Sequence, residues 1–204
     1  MKIVLLKKKG RYFSVKVTGR EELHRIHSDT MFEFSLYEGK EFDPEFWNQV
    51  LSANDYAFAW ESTLRMLSIR AHCEQDMKNK LRQKKFSQTT VAKVIEECKR
   101  LDLIDDAKFA KAYIAELKEN GCGRQMIKLK LSKKGVPREL IDDELEHSFT
   151  EKDELEAAKI AMKKKMPSLK REKDPRKRKE KLYRYMASKG FRYEIIENIF
   201  DLPE

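Results

Sequence analysis

Two neighbouring carboxylates, Asp105 and Asp106, are the residues whose type and spacing most directly suggest chemistry. A pair of acids can act as a general acid and a general base, or it can bind a metal ion. The two aspartates stand in the motif LIDDAKFAKAY, at the start of a segment with helical periodicity. Carboxylates at that position accept hydrogen bonds from the free N–H groups of the first turn, so we expect helix capping from both.

Histidine and cysteine side chains are the next candidates, since they bind metals and act as nucleophiles. His24 and His27 are three residues apart. His72 adjoins Cys73, and neither group has the ligand spacing of a common metal site. Cys122 stands between two glycines, which favours an interhelix turn, and no neighbour in the sequence would activate its thiol. The cysteines form no CxxC pair, so we expect no metal, no disulfide framework and a reducing, cytoplasmic environment.

Catalytic and targeting motifs are also missing from the sequence. It contains no GxxxxGK[ST] phosphate loop, no GxSxG elbow and no HExxH helix. We therefore expect no enzymatic activity, no catalytic residue and no cofactor. The first apolar run, IVLL, is followed at once by lysines and does not fit a signal peptide. No stretch approaches the roughly 18 apolar residues of a membrane span, so we expect no membrane partner.

Positive charge is concentrated in one short segment. Residues 163–184 contain twelve Lys and Arg and three acids, and this surplus equals the formal net charge of the whole 204-residue chain, +9. Charged residues make up 39% of the chain, against about a quarter in an average protein. The sequence pI is near 9.3. This balance predicts an anionic partner: nucleic acid, an anionic surface or an acidic protein.

The chain also repeats itself. Three segments superimpose: MKNKLRQKKFSQTTVAKVI (77–95), IKLKLSKKGVPRELIDDEL (127–145) and LYRYMASKGFRYEIIENIF (182–200). Five apolar columns align: Met77/Ile127/Leu182, Leu81/Leu131/Met186, Phe86/Val136/Phe191, Val91/Ile141/Ile196 and Ile95/Leu145/Phe200. In each segment the spacing indicates two amphipathic helices separated by a Lys-Lys or Lys-Gly corner, and another helical stretch precedes it. The pattern predicts a mainly α fold, a tandem array of three three-helix repeats whose stacking covers the apolar faces.

The first fifty residues differ from the repeats. We expect four segments, an N-terminal extension over 1–52 and repeats over 53–104, 105–149 and 150–204. A short β-type run over 3–6, a turn candidate in KKKG and alternation over 12–17 predict a small β-hairpin or three-stranded element. We expect a short helix after it that ends near Gly39. Asp43 and Pro44 then provide an N-cap and a first helical residue for the next helix.

The central helix of each repeat is basic, while acids gather on other segments. In a stacked ribbon the three helices would form a basic stripe, which is typical of a surface that binds an anionic partner. The simpler alternative is a solvated helix face. Tyr183 and Tyr185 interleave with the bases, and either nucleobase stacking or core packing would explain them. The candidate binding residues are Arg124, Lys128, Lys130, Arg176, Lys177, Arg178, Lys181 and Arg184.

Two prolines, Pro167 and Pro175, bracket a segment that we expect to be a loop. Some of the basic side chains of residues 163–184 would then be mobile until a partner binds. Beyond the loop, helical spacing places Lys177, Lys181 and Arg184 near one face of the third central helix.

The segments STLRMLSIRAHCEQDMKNKLRQKKF, LIDDAKFAKAYI and KLKLSKKGVPRELI follow one another in this order. Here, and over roughly residues 55–202, the sequence resembles the RecX regulatory proteins, bacterial modulators of the RecA recombinase. The resemblance implies an all-helical array of three-helix repeats. It also implies binding to RecA, within the groove of the RecA–DNA filament, and inhibition of strand exchange and related RecA activities. One departure is Lys85, which stands where the family has a glycine at the first corner.

Two other functions remain open from the sequence. One is an autonomous basic helical-repeat protein that binds single- or double-stranded DNA without RecA. The other is a scaffold module that binds some other acidic protein. We expect a monomer in each case.

Overall fold

The computed structural model describes the backbone of residues 1–200 and the side chains of residues 1–199. Three strands come first: β1 (Ile3–Lys9), β2 (Tyr12–Val17) and β3 (His24–His27). The helices that follow are α1 (Ser28–Glu33), α2 (Pro44–Leu67), α3 (Glu74–Gln83), α4 (Gln88–Arg100), α5 (Asp106–Glu119), α6 (Arg124–Lys134), α7 (Arg138–Ser148), α8 (Glu151–Leu169), α9 (Pro175–Ser188) and α10 (Tyr193–Phe200). The predicted mainly α fold is confirmed. None of these helices in residues 1–200 has the length and hydropathy needed to cross a bilayer.

The chain divides into two compact units. The first unit comprises Met1–Ala71 and Met77–Leu103, and the second comprises His72–Asp76 and the described residues from Ile104 onward. The first unit therefore holds the sheet and most of the first repeat, and the second unit holds the other two repeats.

The sheet is antiparallel, with the strand order β1-β2-β3. Lys9 pairs with Tyr12, so the hairpin turn consists of Gly10 and Arg11, and Gly10 has a φ of 66°. The turn predicted in KKKG includes only its last residue, Gly10, because the three lysines continue β1 to Lys9. Exposed lysines suit an edge strand, since they discourage pairing with another chain. One sheet face packs against α2, and this core comprises Ile3, Val15, Val17, Ile26, Met31, Leu36, Trp47 and Val50.

Helix α1 is shorter than expected. It ends at Glu33, and the prediction of a helix end near Gly39 was wrong. The reason is local, because Ser35 adopts a φ of 46°, in the left-handed region that stops a helix. The N–H of Leu36 then donates to the carbonyl oxygen of Met31 and closes the turn.

Helix α2 begins where the sequence predicted. An Asp43 carboxylate oxygen accepts from the N–H of Phe46 at 2.7 Å, and Pro44 occupies the first turn. The helix continues without a break to Leu67, so the proposed boundary after residue 52 lies inside it. The division into four segments remains a proposal.

The three repeats consist of α2–α4, α5–α7 and α8–α10. The aligned columns are buried as predicted at every described position except Phe86, which is half-buried. Phe200 lies outside the residues whose side chains the structure describes. Phe86 is more exposed than its equivalents because it lines a cavity in the first unit.

The corners between the second and third helices share one backbone conformation. Lys85, Gly135 and Gly190 have φ angles of 67°, 86° and 83°. The left-handed conformation stops a helix, and glycine adopts it at little cost. In the first repeat, Ser87 then caps α4 as predicted, because its hydroxyl accepts from the N–H of Thr90 at 3.1 Å.

The loop expected between Pro167 and Pro175 is shorter than predicted. Helix α8 runs through Pro167 to Leu169, which is buried, and α9 begins at Pro175. Pro167 lies in the last turn of α8, where it removes one intrahelical hydrogen bond. Burial of Leu169 holds that turn in place. The connection is therefore only the five residues 170–174.

Candidate partner-binding surface

Within the second unit, the starts of the central helices α3 and α6 each lie against the corner of the following repeat. At the start of α3, the Sγ atom of Cys73 donates to the carbonyl oxygen of Lys134 at 3.1 Å. The N–H of Glu74 donates to a carboxylate oxygen of Asp106 at 2.7 Å. Thus the corner and first helix of the second repeat bind the first turn of α3. We call this arrangement a joint.

A second joint connects α6 to the third repeat. The N–H of Gly123 donates to the carbonyl oxygen of Lys189 at 2.9 Å. The N–H of Arg124 donates to Oε1 of Glu154 at 3.2 Å. Glu154 is fully buried, and its other oxygen accepts from Nη2 of Arg192 at 2.9 Å. This ion pair and the N–H donor compensate the buried carboxylate.

Asp106 and Glu154 therefore have the same role in successive repeats. Each lies on the first helix of its repeat and caps the central helix of the preceding repeat. Asp105 caps its own helix, as predicted, by accepting from the N–H groups of Ala107 and Lys108. The prediction for Asp106 was right about capping, but the hydrogen bond goes to α3, whereas we expected it to go to α5.

The basic side chains of α6 are engaged within the second unit. The guanidinium of Arg124 donates to the carbonyl oxygens of Leu145 and Phe149, so it caps the end of α7. Nζ of Lys128 lies 2.6 Å from a carboxylate oxygen of Asp142, and this hydrogen bond lowers the pKa of Asp142.

The remaining α6 candidate is also in contact with its surroundings. Nζ of Lys130 lies 3.9 Å from the Sγ atom of the buried Cys122. Further along α6, Lys134 forms an ion pair with Asp76 at 3.4 Å. The structure thus places the three α6 candidates in contacts within the unit and does not bring them together as a freely exposed basic face.

The other five candidates, by contrast, share helix α9 and are all exposed. They are Arg176, Lys177, Arg178, Lys181 and Arg184. Three of them have partners: Lys181 pairs with Glu172 at 2.5 Å, Arg178 donates to the Glu172 carbonyl oxygen at 2.8 Å, and Arg184 pairs with Glu180. The hydrogen bond from Lys181 lowers the pKa of Glu172.

The start of α9 differs from the starts of α3 and α6. Its own N-cap, Asp174, accepts from the N–H groups of Arg176 and Lys177 at 2.9 and 3.4 Å. It also begins seven residues before its first buried column residue, Leu182, whereas α6 begins three residues before Ile127. Helix α9 therefore has one extra turn, and that turn is basic.

The extra turn places positive charge where a helix disfavours it. The N-terminus of a helix carries a partial positive charge, so cations there are destabilising and anions are favoured. The first turn of α9 carries Arg176 and Lys177, both exposed, and no acid. The N-cap carboxylate of Asp174 offsets part of this repulsion, and a bound anion would offset more of it. We call the five candidate residues of α9, Arg176, Lys177, Arg178, Lys181 and Arg184, the α9 basic surface; Lys179 on the same helix is also exposed.

Aromatic residues near this surface pack against neighbouring side chains. The ring of Tyr185 lies under Nζ of Lys165 and of Lys189, at 5.3 and 5.6 Å from its centroid. Tyr183 and Tyr193 form an edge-to-face pair with centroids 6.2 Å apart. Both Tyr183 and Tyr185 are half-buried, which favours core packing over nucleobase stacking. Among the described residues, no three His, Cys, Asp or Glu side chains are grouped so that they could hold a metal ion.

Three consecutive three-helix repeats, joined by carboxylate caps, define a helical-repeat protein. Three family models match in order: the first, second and third three-helix domains of RecX, over residues 59–98, 105–145 and 151–200. The regulatory protein RecX of Clostridium beijerinckii is 30% identical over 85% of this chain and 81% of its own length. That of Prosthecochloris aestuarii is 32% identical over 74% of this chain and 97% of its own length. The chain belongs to the RecX family of regulatory proteins.

Solved structures agree with this assignment. A crystal structure of regulatory protein RecX superimposes with a TM-score of 0.69 and 25% identity, covering 98% of this chain and 99% of the other. RecX from Lactobacillus salivarius gives a TM-score of 0.61 and 27% identity, covering 72% of this chain and 96% of that one.

Proposed function

We propose that this protein binds RecA and the RecA–DNA filament, in the filament groove, and thereby inhibits or modulates recombinase activity. Membership of the RecX family of regulatory proteins supports a regulatory role. The observation that carries the binding proposal is the α9 basic surface, whose first turn holds two exposed cations at the positive end of a helix. Such a surface favours a polyanionic partner, and a RecA–DNA filament presents DNA phosphates along its length.

The proposed inhibition depends on the repeated surface of the filament. A filament presents the same surface many times, and several weak contacts made together give an affinity that no single contact provides. Basic residues on α9 would contact phosphates or acidic protein surface, and binding would weaken as salt concentration rises. A monomer that occupies the groove in this way would obstruct strand exchange without any chemistry of its own.

A second candidate is a nucleic-acid-binding protein that acts without RecA. The same α9 basic surface favours it, because phosphate contacts alone do not specify a protein partner. Co-sedimentation with preformed RecA–DNA filaments, with the same DNA alone as the control, separates the two. We expect binding that depends on the filament. Equal binding to filament and to naked DNA would contradict the proposal and favour the alternative.

A further inference from the structure

A cavity of about 590 Å³ opens at the corner of the first repeat. It lies wholly within the first unit, between that corner and helix α2, with one residue of β3 on its wall. Its volume falls in the range of ligand pockets, about 300–1,000 Å³. Its lining combines aromatic side chains, two acids and three cations.

The position of the cavity corresponds to that of a joint. In the later repeats, the corner and the first helix bind the start of the preceding central helix. That packing is close, since a Cβ atom on Gly190 would lie 2.2 Å from the backbone nitrogen of Met126. In the first repeat the equivalent corner position is Lys85, whose neighbours Lys84 and Phe86 line the cavity. The first repeat therefore has a corner like those of the later repeats, but a cavity lies beside it where a joint would hold the start of a preceding central helix.

The acids that line the cavity have partners, whereas two of its cations do not, within the part of the chain that the structure describes. Of its acids, Asp55 accepts from the N–H of Ser87 at 3.4 Å, and Glu61 pairs with Arg11 at 3.2 Å. The exposed cations Arg65 and Lys84 form no ion pair with any described residue. The cavity thus has compensated acids and two uncompensated cations, which favours an anionic group near Arg65 and Lys84.

Two further features indicate what accompanies the anion. The hydroxyl oxygen of Ser62 is buried and has no hydrogen-bond partner among the described residues. A buried hydroxyl without a partner is costly, so a polar ligand atom would satisfy it. The guanidinium of Arg25 lies 4.0 Å from the ring centroid of Tyr12 and 4.8 Å from that of Phe58, so the two rings hold it in place at the wall of the cavity. Phe86 supplies a further aromatic wall.

We propose that this cavity binds one nucleotide unit of a single-stranded nucleic acid, with its phosphate at Arg65 and Lys84 and its base against Phe58 and Phe86. Aromatic and guanidinium faces stack on bases of any sequence. The hydroxyl of Ser62 then bonds to the sugar or the base. The site belongs to the first unit, whereas α9 belongs to the second. Binding of a nucleotide there requires no RecA.

The combination of cations with aromatic walls favours a nucleotide over an acidic peptide. A carboxylate side chain would satisfy Arg65 and Lys84 but would offer no flat group to stack on Phe58 and Phe86. A nucleotide combines an anionic phosphate with a neutral, flat base that carries N–H donors. Those donors can face Asp55 while the phosphate faces the cations.

The test is photo-crosslinking to single-stranded DNA that contains 5-bromouracil, followed by peptide mapping by mass spectrometry. The background is the Arg176→Glu, Lys177→Glu variant, so that α9 contributes less to binding. We expect adducts within 55–65 or 84–87. The added pair Arg65→Glu, Lys84→Glu should reduce their yield by roughly tenfold and lower the slope of log affinity on log salt by about 0.7, because the site holds one phosphate.

Arg70→Glu with Arg82→Glu is the matched control, because both residues are exposed and neither lines the cavity. This pair should leave the adduct yield unchanged. Phe86→Ala should lower the yield without changing the salt slope. Adducts found only elsewhere, or an equal loss with both charge-reversal pairs, would overturn the proposal. If free ATP abolished these adducts at a concentration that left the other DNA crosslinks unchanged, the assignment to a nucleic-acid strand would be overturned.

Discussion

The backbone N–H of Arg124 donates to the buried carboxylate of Glu154, 30 residues further along the chain, at 3.2 Å. Glu154 lies on α8, and Arg124 begins α6, so the hydrogen bond crosses from one repeat to the next. Helix α6 has no side-chain cap of its own. The following repeat supplies it, which makes the start of one repeat part of the folding of its neighbour.

The first prediction concerns this bond. Glu154→Ala should lower the free energy of unfolding by about 2–4 kcal/mol, because it leaves a buried N–H without an acceptor and separates Arg192 from its partner. Glu154→Gln should cost less, since the amide oxygen still accepts from Arg124. Urea unfolding followed by circular dichroism measures both. Glu116→Ala, at an exposed position, should stay within about 0.5 kcal/mol of wild type; an equal effect at both sites would show that the joint contributes nothing.

The second prediction separates backbone conformation from close packing at a corner. Gly190 and Gly19 both have positive φ, but a Cβ atom at Gly190 would meet Met126, whereas one at Gly19 would meet nothing within 4 Å. Gly19→Ala should therefore cost only about 1–2 kcal/mol, and Gly190→Ala about 3 kcal/mol or more. Lys85→Gly should raise stability by up to about 1 kcal/mol. Thermal unfolding of the three variants checks the order, and similar losses for both alanine variants would argue against the joint.

The third prediction is a pH dependence. Lys118 donates to Asp153, and this bond, with further donation from Thr150, lowers the pKa of Asp153 from its ordinary value of 3.8 to about 2. The folded state then binds a proton less tightly than the unfolded state, so the contribution is present above about pH 4 and is lost as the pH falls towards about 2.

Asp153→Asn tests this contribution directly. It should destabilise the protein by about 1–2 kcal/mol near neutral pH and by almost nothing near pH 2. Lys118→Met should remove most of the same pH dependence, because Lys118 is the main cause of the shift. Urea unfolding at a series of pH values provides the measurement. A constant difference between wild type and Asp153→Asn across that range would contradict the assignment.

Periodicity predicted the parts of the fold that depend on local sequence. The apolar columns, the corners and the caps at Asp43, Asp105 and Ser87 follow from spacing and from residue type within one or two turns. The corrections in the N-terminal extension have local causes too. Lysine suits an exposed edge strand as well as a turn, and Ser35 adopts a left-handed conformation that its residue type does not signal.

The joints could not be predicted from a single sequence. Arg124 looks like one more surface cation, yet it donates to carbonyl oxygens 21 and 25 residues away. Asp106 looks like a cap for α5, but its bond to Glu74 depends on how two helices pack. The repeat alignment offered a partial signal, because the corners that receive these contacts were visible as aligned Lys-Gly pairs. What it lacked was the partner of each corner.

The ion pairs on α9 decide which of its basic residues are suitable for a binding test. A glutamate at position 181 would lie beside Glu172, and one at position 184 would lie beside Glu180. A loss of binding in either variant could then come from local repulsion. Neither Arg176 nor Lys177 forms an ion pair with Glu172 or Glu180 among the described residues, although Lys177 contributes to the lowered pKa of Glu172. Glutamate in the first turn of a helix is favoured by the helix dipole, which offsets its repulsion from the N-cap Asp174, so Arg176→Glu with Lys177→Glu should preserve α9.

The most direct test of filament docking is therefore co-sedimentation of this double variant with preformed RecA–DNA filaments over a range of salt concentrations. The control is Lys111→Glu with Lys152→Glu, which makes the same change in net charge at exposed positions on α5 and α8. The account predicts binding at least roughly tenfold weaker for the α9 variant than for the control, and a salt slope lower by about 0.7–0.9 for each phosphate that α9 no longer neutralises. Weaker binding with an unchanged slope would place the contact on acidic RecA surface. Filament affinity and inhibition of strand exchange equal to those of the control would contradict the claim that α9 docks on the filament.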